Sequence, residues 1–101
     1  MAATYHLTIV TPKGLVFDEA VESLSAAGER GRCGVLANHA TMLASLAPGF
    51  MKINTPEEKY FAVGSGILEV SPGGAVNVLA DSVEVADSKA DAVERSKTLT
   101  A

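Results

Sequence analysis

Apolar and polar residues alternate near the start of the chain. Tyr5, Leu7 and Ile9 recur at every second position within residues 5–10, which is the pattern of a β-strand with one buried face. Residues 11–14 then read Thr-Pro-Lys-Gly, and a proline at the second position of a turn presets its φ angle. The sequence therefore predicts a half-buried strand that ends in a turn.

Short apolar segments separated by turn residues recur as far as Val85. Many short strands at this spacing are typical of an all-β sandwich or barrel. After the first strand, the predicted strands cover residues 16–17, 21–26, 50–53, 60–63, 67–70, 75–80 and 83–85. Residues 64–66 (Gly-Ser-Gly) are expected to form a hairpin turn, and the three glycines within residues 28–34 predict a loop.

The segment 86–101 has a different pattern, without glycine or proline. Ser88 followed by Asp91 resembles a helix capping box, and Asp91 is spaced to pair with Arg95 at i,i+4. The apolar residues expected to share one face are Ala86, Ala90 and Val93. The sequence predicts one helix of about three turns, which must pack on the β region or fray because an isolated helix of that length is marginal in water.

Composition narrows the class of protein. With 48% apolar and 20% charged residues among 101, the chain is expected to fold as one domain. A net charge of −4 offers no basic excess to a phosphate backbone, so nucleic acid is not an expected partner. We expect a cytoplasmic protein, since no apolar run could span a bilayer and the first residues lack the features of a secretory signal.

Few residues offer chemistry. Cys33 and His39 could form a nucleophilic dyad, but no Asn or Asp motif supports it, and Cys33 is expected to be a small apolar residue in or near the core. His6 and His39 are the only histidines, and no spacing fits a zinc or iron site. Neither 28–31 nor 64–66 continues into a phosphate-binding loop. The sequence predicts no catalytic residue, metal or cofactor.

Residues 34–49 are mostly apolar and are interrupted by Asn38 and His39. The apolar residues that matter in this segment are Val35, Leu36, Met42, Leu43, Leu46 and Ala47. These residues could belong to the core, or some of them could form an apolar patch that binds a protein partner. Composition does not decide between the two interpretations.

Several segments of the β region match one known family in order and spacing. They are Tyr5-His6-Leu7, Thr11-Pro12 with Gly14 and Phe17, Gly31 with Gly34-Val35-Leu36, His39-Ala40, Leu43, Leu46 to Gly49, Phe61-Ala62-Val63, Gly66 to Val70 and Val76 to Asp81. In these residues the chain resembles the epsilon subunit of bacterial F-type ATP synthase, the counterpart of mitochondrial delta. The resemblance implies a mainly β fold, a two-sheet β-sandwich of about ten short strands at 1–85. For residues 86–101 we expect one short helix or a frayed tail, at the position where family members carry a C-terminal helical hairpin.

The resemblance also implies a function. It indicates a non-catalytic central-stalk (rotor) subunit that links the gamma subunit to the c-ring and helps couple proton transport to ATP synthesis. Such a subunit lies at the cytoplasmic face of the bacterial plasma membrane and is attached only through the complex. Two alternatives remain open: a subunit that regulates ATP hydrolysis, and an unrelated small ligand-binding β-sandwich. The short tail disfavours the first, and residues 86–90 lack the spacing and the arginine of the family's ATP-binding motif.

The interface residues follow only by carry-over from the family. Those expected to face the c-ring and gamma are Arg32, Asn38, His39, Thr41 and Met42, and Thr11 is a weaker candidate for gamma. Asn38 ends the pair that replaces the usual Pro-Gly, and asparagine tolerates a positive φ. Arg32 stands where the family is often acidic or small, so the facing c-subunit loop is expected to carry a compensating acid. We also expect Met42→Asp to weaken gamma binding without unfolding the chain.

Overall fold

The computed structural model describes residues 3–38 and 40–99. Within these ranges, ten strands are followed by one helix. The strands are β1 (Tyr5–Thr11), β2 (Gly14–Val21), β3 (Ser23–Gly28), β4 (Gly31–Leu36), β5 (Met42–Leu46), β6 (Gly49–Asn54), β7 (Glu58–Val63), β8 (Gly66–Val70), β9 (Val76–Ala80) and β10 (Val83–Ala86), and the helix is α1 (Lys89–Ser96). The prediction of a mainly β chain with one short C-terminal helix is confirmed.

The strands divide into two halves of five. One half has the order β10-β7-β6-β3-β4, and the other has the order β5-β8-β9-β1-β2. A single residue pair, Gly28 with Leu46, connects β3 to β5 and makes the sheet continuous. The halves pack face to face, and the rings of Phe17 on β2 and Phe61 on β7 meet edge-on with centroids 5.9 Å apart. The architecture is therefore a β-sandwich closed along one side.

The core lies between the two halves. As the alternation predicted, Tyr5, Leu7 and Ile9 of β1 are buried. The largest fully buried side chains are Leu7, Ile9, Met51, Ile53, Leu68, Val21, Val35, Val70, Val76 and Val78. The Tyr5 hydroxyl donates a 2.8 Å hydrogen bond to the Val35 carbonyl oxygen, and burial raises the pKa of Tyr5 to about 12. Since each buried aliphatic side chain contributes about 1.5–3 kcal/mol, this layer is the main source of stability.

The predicted loop at 28–34 is wrong, because these residues end β3 and form most of β4. The two strands form a hairpin in which Gly28 lies opposite Gly31. A Cβ atom on Gly28 would lie 2.7 Å from the Gly31 carbonyl oxygen and 2.8 Å from the Cys33 sulfur. Gly28 therefore marks a close approach between strands, and a glycine-rich composition hid the hairpin. Cys33 itself is half-buried, in agreement with the expected place near the core.

The predicted hairpin turn at 64–66 is also wrong. Strand β7 pairs with β6 and β10, whereas β8 pairs with β5 and β9, so this segment carries the chain from one half of the sandwich to the other. Gly66 has no room for a side chain because a Cβ atom there would collide with the Leu79 carbonyl oxygen of β9. The local sequence suits either connection, and only the partners of the two strands distinguish them.

The helix begins as predicted but buries a different face. Ser88 is the N-cap and accepts a 3.1 Å hydrogen bond from the Asp91 backbone N–H, while Arg95 pairs with Asp91 at 3.0 Å. The expected face of Ala86, Ala90 and Val93 is wrong. The helix starts only at Lys89, spans eight residues and buries Ala92 and Ser96 against β6, β7 and β10. Among the described residues, no helix is both long and apolar enough to cross a membrane.

Candidate protein-interaction surfaces

Arg32 lies on β4, and its side chain folds back over the sheet. Its guanidinium donates a 2.8 Å hydrogen bond to the Phe50 carbonyl oxygen and two 3.0 Å hydrogen bonds to the carbonyl and hydroxyl oxygens of Ser25. It also lies 3.8 Å from the centroid of the Phe50 ring, in cation–π geometry. Partial burial lowers the pKa of the Arg32 guanidinium, although an arginine remains charged at any physiological pH. Arg32 therefore ties β4 to β3 and β6.

The charges at the tip of the β3–β4 hairpin are Glu29 and Arg30. Both residues are exposed, and neither side chain has an ion pair or hydrogen bond within residues 3–38 and 40–99. The Glu29 backbone N–H bonds the Ser45 carbonyl oxygen at 3.1 Å, which holds the tip beside β5. An open groove between the hairpin and β5 is lined by residues 28–33 and 43–45. Among the described residues, the Arg30 side chain therefore has no partner, whereas the Arg32 side chain is engaged by Ser25 and Phe50.

Two of the predicted interface residues, Asn38 and Thr41, lie on the loop between β4 and β5. Asn38 is exposed and has a φ of 64°, so it occupies the left-handed turn position for which asparagine was expected to be suitable. Thr41 is exposed, and His39 lies outside the described residues. Met42, in contrast, is partly buried and packs against the core. Met42→Asp is therefore expected to destabilise the fold, which corrects the expectation that this substitution would affect binding alone.

The larger apolar side chains of residues 34–49 divide between the core and the surface. Val35 and Leu46 are buried in the core. Leu36 at the end of β4 is 67% exposed, and Leu43 near the start of β5 is 72% exposed. These two leucines flank the β4–β5 loop and add apolar surface to that end of the sandwich.

A row of apolar side chains crosses the outer face of the second half. Leu15, Val10, Leu79 and Ile67 lie opposite one another on β2, β1, β9 and β8. Leu15 is 59%, Leu79 53% and Ile67 43% exposed, and Val10 is half-buried. With neighbouring strands about 4.8 Å apart, the row spans about 15 Å. We call these four residues the outer apolar row.

A row of polar side chains runs beside the outer apolar row, at the next outward-facing positions of the same strands. The Thr8 hydroxyl donates a hydrogen bond to the Asn77 side-chain oxygen, and the Asn77 amide donates to Glu69 at 3.3 Å. On the β2 side, His6 pairs with Asp18. Cross-strand hydrogen bonds of this kind keep side chains in fixed positions on a sheet face. The outer face therefore presents an apolar row bordered by ordered polar groups.

Thr11 lies at the end of β1, next to the outer apolar row. Its hydroxyl accepts a 3.2 Å hydrogen bond from the Lys13 backbone N–H, so it orders the turn that leads into β2. An open groove here is lined by Val10, Thr11, Pro12, Leu79, Ala80 and Asp81. Of the predicted interface residues that the structure describes, Thr11 is the one that adjoins the outer apolar row.

The strand register places the predicted interface residues at two ends of the sandwich. Met42 lies across from Val70 at one end of β5, whereas Leu46 lies across from Gly66 at the other end. The β4–β5 loop with Asn38 and Thr41 belongs to the first end. Thr11 and the hairpin tip belong to the second end, because Gly28 pairs with Leu46 and the Thr11 groove includes Ala80, which pairs with Gly66. The sandwich therefore has two separate candidate contact regions.

Comparison with known families identifies the fold. The family described as the β-sandwich domain of the ATP synthase delta/epsilon chain matches residues 4–86. This chain belongs to that family. The match covers all ten strands, and the helix follows directly after it.

Solved structures with the same fold include two mitochondrial ATP synthases determined by cryo-electron microscopy. One is the OSCP/F1/c-ring structure from Euglena gracilis, in which the matching chain is 22% identical with a TM-score of 0.76. The other is the central stalk and c-ring from Tetrahymena thermophila, at 17% identity and a TM-score of 0.67. The alignments cover 84% and 82% of this chain, but 55% and 67% of the matching chains. At such identities the likeness establishes the fold of the delta/epsilon sandwich.

The outer apolar row of this delta/epsilon sandwich was missed by the sequence reasoning. Ile67 and Leu79 were assigned to strands, but no side was assigned to them. A signal was available, because both residues stand at outward positions of their strands where alternation calls for polar side chains. Nothing in the sequence indicated that Arg32 would fold back over Phe50 while the Arg30 side chain had no partner within residues 3–38 and 40–99.

Proposed function

We propose that this chain is a non-catalytic rotor subunit of an F-type ATP synthase that links the gamma subunit to the c-ring. In this role it helps couple proton transport to ATP synthesis, at the cytoplasmic face of a bacterial plasma membrane, and it reaches the membrane only through the complex. The observation that carries the proposal is the outer apolar row on a delta/epsilon sandwich. An exposed apolar strip with a polar border has the composition of a protein–protein interface.

The two contact regions suggest two partners. We assign the outer apolar row, together with Thr11, to the gamma subunit, because its central side chains could fill a partner's apolar pocket. We assign the β4–β5 loop, with Asn38, His39 and Thr41, to the polar loops of the c-ring. Arg32 and Met42 stay in the predicted interface, but both are also held by contacts within the sandwich.

Leu79→Asp tests the gamma surface. The full chain and the gamma subunit from the same genome are mixed and passed over a size-exclusion column, where we expect a one-to-one complex. Leu79→Asp should weaken binding by about tenfold or more, because a charge would be desolvated at the centre of the row. Val85→Asp is the matched control, since Val85 is 67% exposed on β10 in the other half of the sandwich. Both variants should keep the wild-type circular dichroism spectrum.

The outcomes separate the alternatives. Loss of binding in Leu79→Asp alone supports the proposed surface, and equal loss in both variants contradicts its location. Failure of the wild-type chain to bind gamma would contradict the rotor function itself. For the c-ring, Thr41→Lys should lower assembly onto purified c-ring and leave gamma binding unchanged, since Thr41 is exposed at the opposite end of the sandwich from Thr11.

A further inference from the structure

The outer apolar row is one side chain wide. It has one member on each of four neighbouring strands, so it crosses the strands in steps of about 4.8 Å. On one side, about 7 Å along the strands, lies the row of polar side chains, Asp18, Thr8, Asn77 and Glu69. On the other side the four strands end within one residue, and the turns there carry the opposite charges of Lys13 and Asp81. A partner segment can therefore follow the apolar surface only across the strands.

A helix fits an apolar surface of this shape. Helix residues at i, i+4, i+7 and i+11 share one face and recur about every 4.5–6 Å along the axis, which is close to the spacing of the row. An extended strand repeats its same-side residues about every 6.8 Å, so it would not place one side chain against each member of the row. Because a helix with its side chains is about 10 Å wide, one of its flanks would also reach the row of polar side chains.

The charge beside the outer apolar row indicates what that flank carries. Strands β1, β2, β5, β8 and β9 contain no lysine or arginine. Glu69 on β8 is exposed, and its Oε1 accepts hydrogen bonds from the Asn77 amide at 3.3 Å and the Ser71 hydroxyl at 3.5 Å. These bonds orient the carboxylate, which has no cationic partner within residues 3–38 and 40–99. Asp18, at the far end, already pairs with His6, so Glu69 is the carboxylate that complements a basic side chain.

We propose that the outer apolar row binds an amphipathic helix of the gamma subunit, which lies across the strands and carries a lysine or arginine on its flank beside Glu69. The inference rests on the proposed function, in which the row is assigned to gamma, and it adds the conformation, direction and charge of the partner segment. The apolar face of the helix would supply affinity, and the pair with Glu69 would select which flank faces the row of polar side chains.

Photo-crosslinking tests the conformation and direction of the gamma segment. The variants Leu15→p-benzoylphenylalanine and Ile67→p-benzoylphenylalanine place an apolar cross-linker at either end of the row. Each full-length variant is irradiated in complex with gamma from the same genome, and the attached gamma residue is located by mass spectrometry. We expect two attachment points in one segment, about 10 residues apart, since about 15 Å corresponds to that length of helix. An extended segment would give a separation of about 4–5 residues.

Glu69→Gln tests the charged flank. In calorimetric titrations with gamma, this variant should bind about threefold more weakly than the wild-type chain at low salt and nearly equally at high salt, because salt screens an exposed charge pair. Glu57→Gln is the matched control, since Glu57 is exposed on the β6–β7 turn and has no ion pair among the described residues. A glutamate in place of the basic gamma residue nearest the Ile67 attachment point should weaken binding, and Glu69→Lys should restore it.

The outcomes separate this inference from the proposed function. If the wild-type chain does not bind gamma, both are overturned. If the complex forms but the two attachment points lie in different segments or at the spacing of a strand, the function stands and the helix is refuted. Equal affinities of Glu69→Gln and Glu57→Gln at low salt would likewise overturn the charged flank and leave the rotor function intact.

Discussion

Arg32→Ala is the substitution whose effect on stability the structure predicts most specifically. The change removes three hydrogen bonds, to the Phe50 carbonyl and to two oxygen atoms of Ser25, and a cation–π contact with the Phe50 ring. Each hydrogen bond contributes about 0.5–1.5 kcal/mol and an exposed cation–π contact about 0.5–1 kcal/mol. Because Arg32 is exposed and water can replace it, the lower ends of these ranges apply. They add up to about 2 kcal/mol.

The assay is thermal unfolding of the full chain followed by circular dichroism. For a domain of this size, a loss of about 2 kcal/mol lowers Tm by roughly 8–16 °C. Arg30→Ala is the matched control, because it removes the same charge two residues earlier, where the side chain has no partner among the described residues. That variant should change the free energy of unfolding by less than about 0.5 kcal/mol.

Arg32→Lys and Phe50→Leu divide the effect into its parts. Lysine keeps the charge but not the planar fork, so Arg32→Lys should recover only part of the loss. Phe50→Leu removes the ring, with its cation–π contacts to both Arg32 and Lys89, and leaves the carbonyl acceptor in place. If Arg32→Ala and Arg30→Ala unfold at the same temperature, the idea that Arg32 joins β3, β4 and β6 is refuted. Arg32 would then be free for the partner contact that the family resemblance implies.

Three further outcomes follow from single contacts. Gly28→Ala should cost about 1–3 kcal/mol in urea unfolding, because its Cβ would lie 2.7 Å from a backbone oxygen, while Gly34→Ala, with open space, should be nearly neutral. Ser88→Ala should cost about 1 kcal/mol and speed hydrogen exchange in α1, because it removes the N-cap acceptor. The pKa of Tyr5 is raised in the folded state from 10.0 to about 12, so its neutral form stabilises the fold below pH 10. Stability should fall as the pH rises from 10 to 12, and Tyr5→Phe should flatten that part of the stability–pH curve.

Local signals explain which parts of the fold could be predicted. The alternation through β1 and the cap at Ser88 are encoded within a few neighbouring residues, and both are present in the structure. The prediction of which helix face is buried was wrong because it, too, used only neighbouring residues. The residue at which α1 starts and the strands it packs on set which side is buried, and neither is encoded within the helix.

The candidate surfaces could be predicted only in part. Asn38 and Thr41, predicted for an interface, are exposed on the β4–β5 loop, whereas Met42 packs on the core and the donors of Arg32 are engaged by Ser25 and Phe50. A family motif identifies which positions recur. It does not report whether a side chain at that position faces solvent or the neighbouring strand.

The sequence by itself determined the strand-rich class, the position of the single helix and the family, because these depend on residue periods and short motifs. Tertiary structure decided that β7 leads across to the other half of the sandwich and that, among the described strands, β2 lies at an edge and pairs only with β1. It also decided the outer apolar row, which unites Val10 and Leu15 with Ile67 and Leu79. The physical reason is that strand pairing is a long-range choice. Residues more than fifty positions apart become neighbours only through the register of the strands between them.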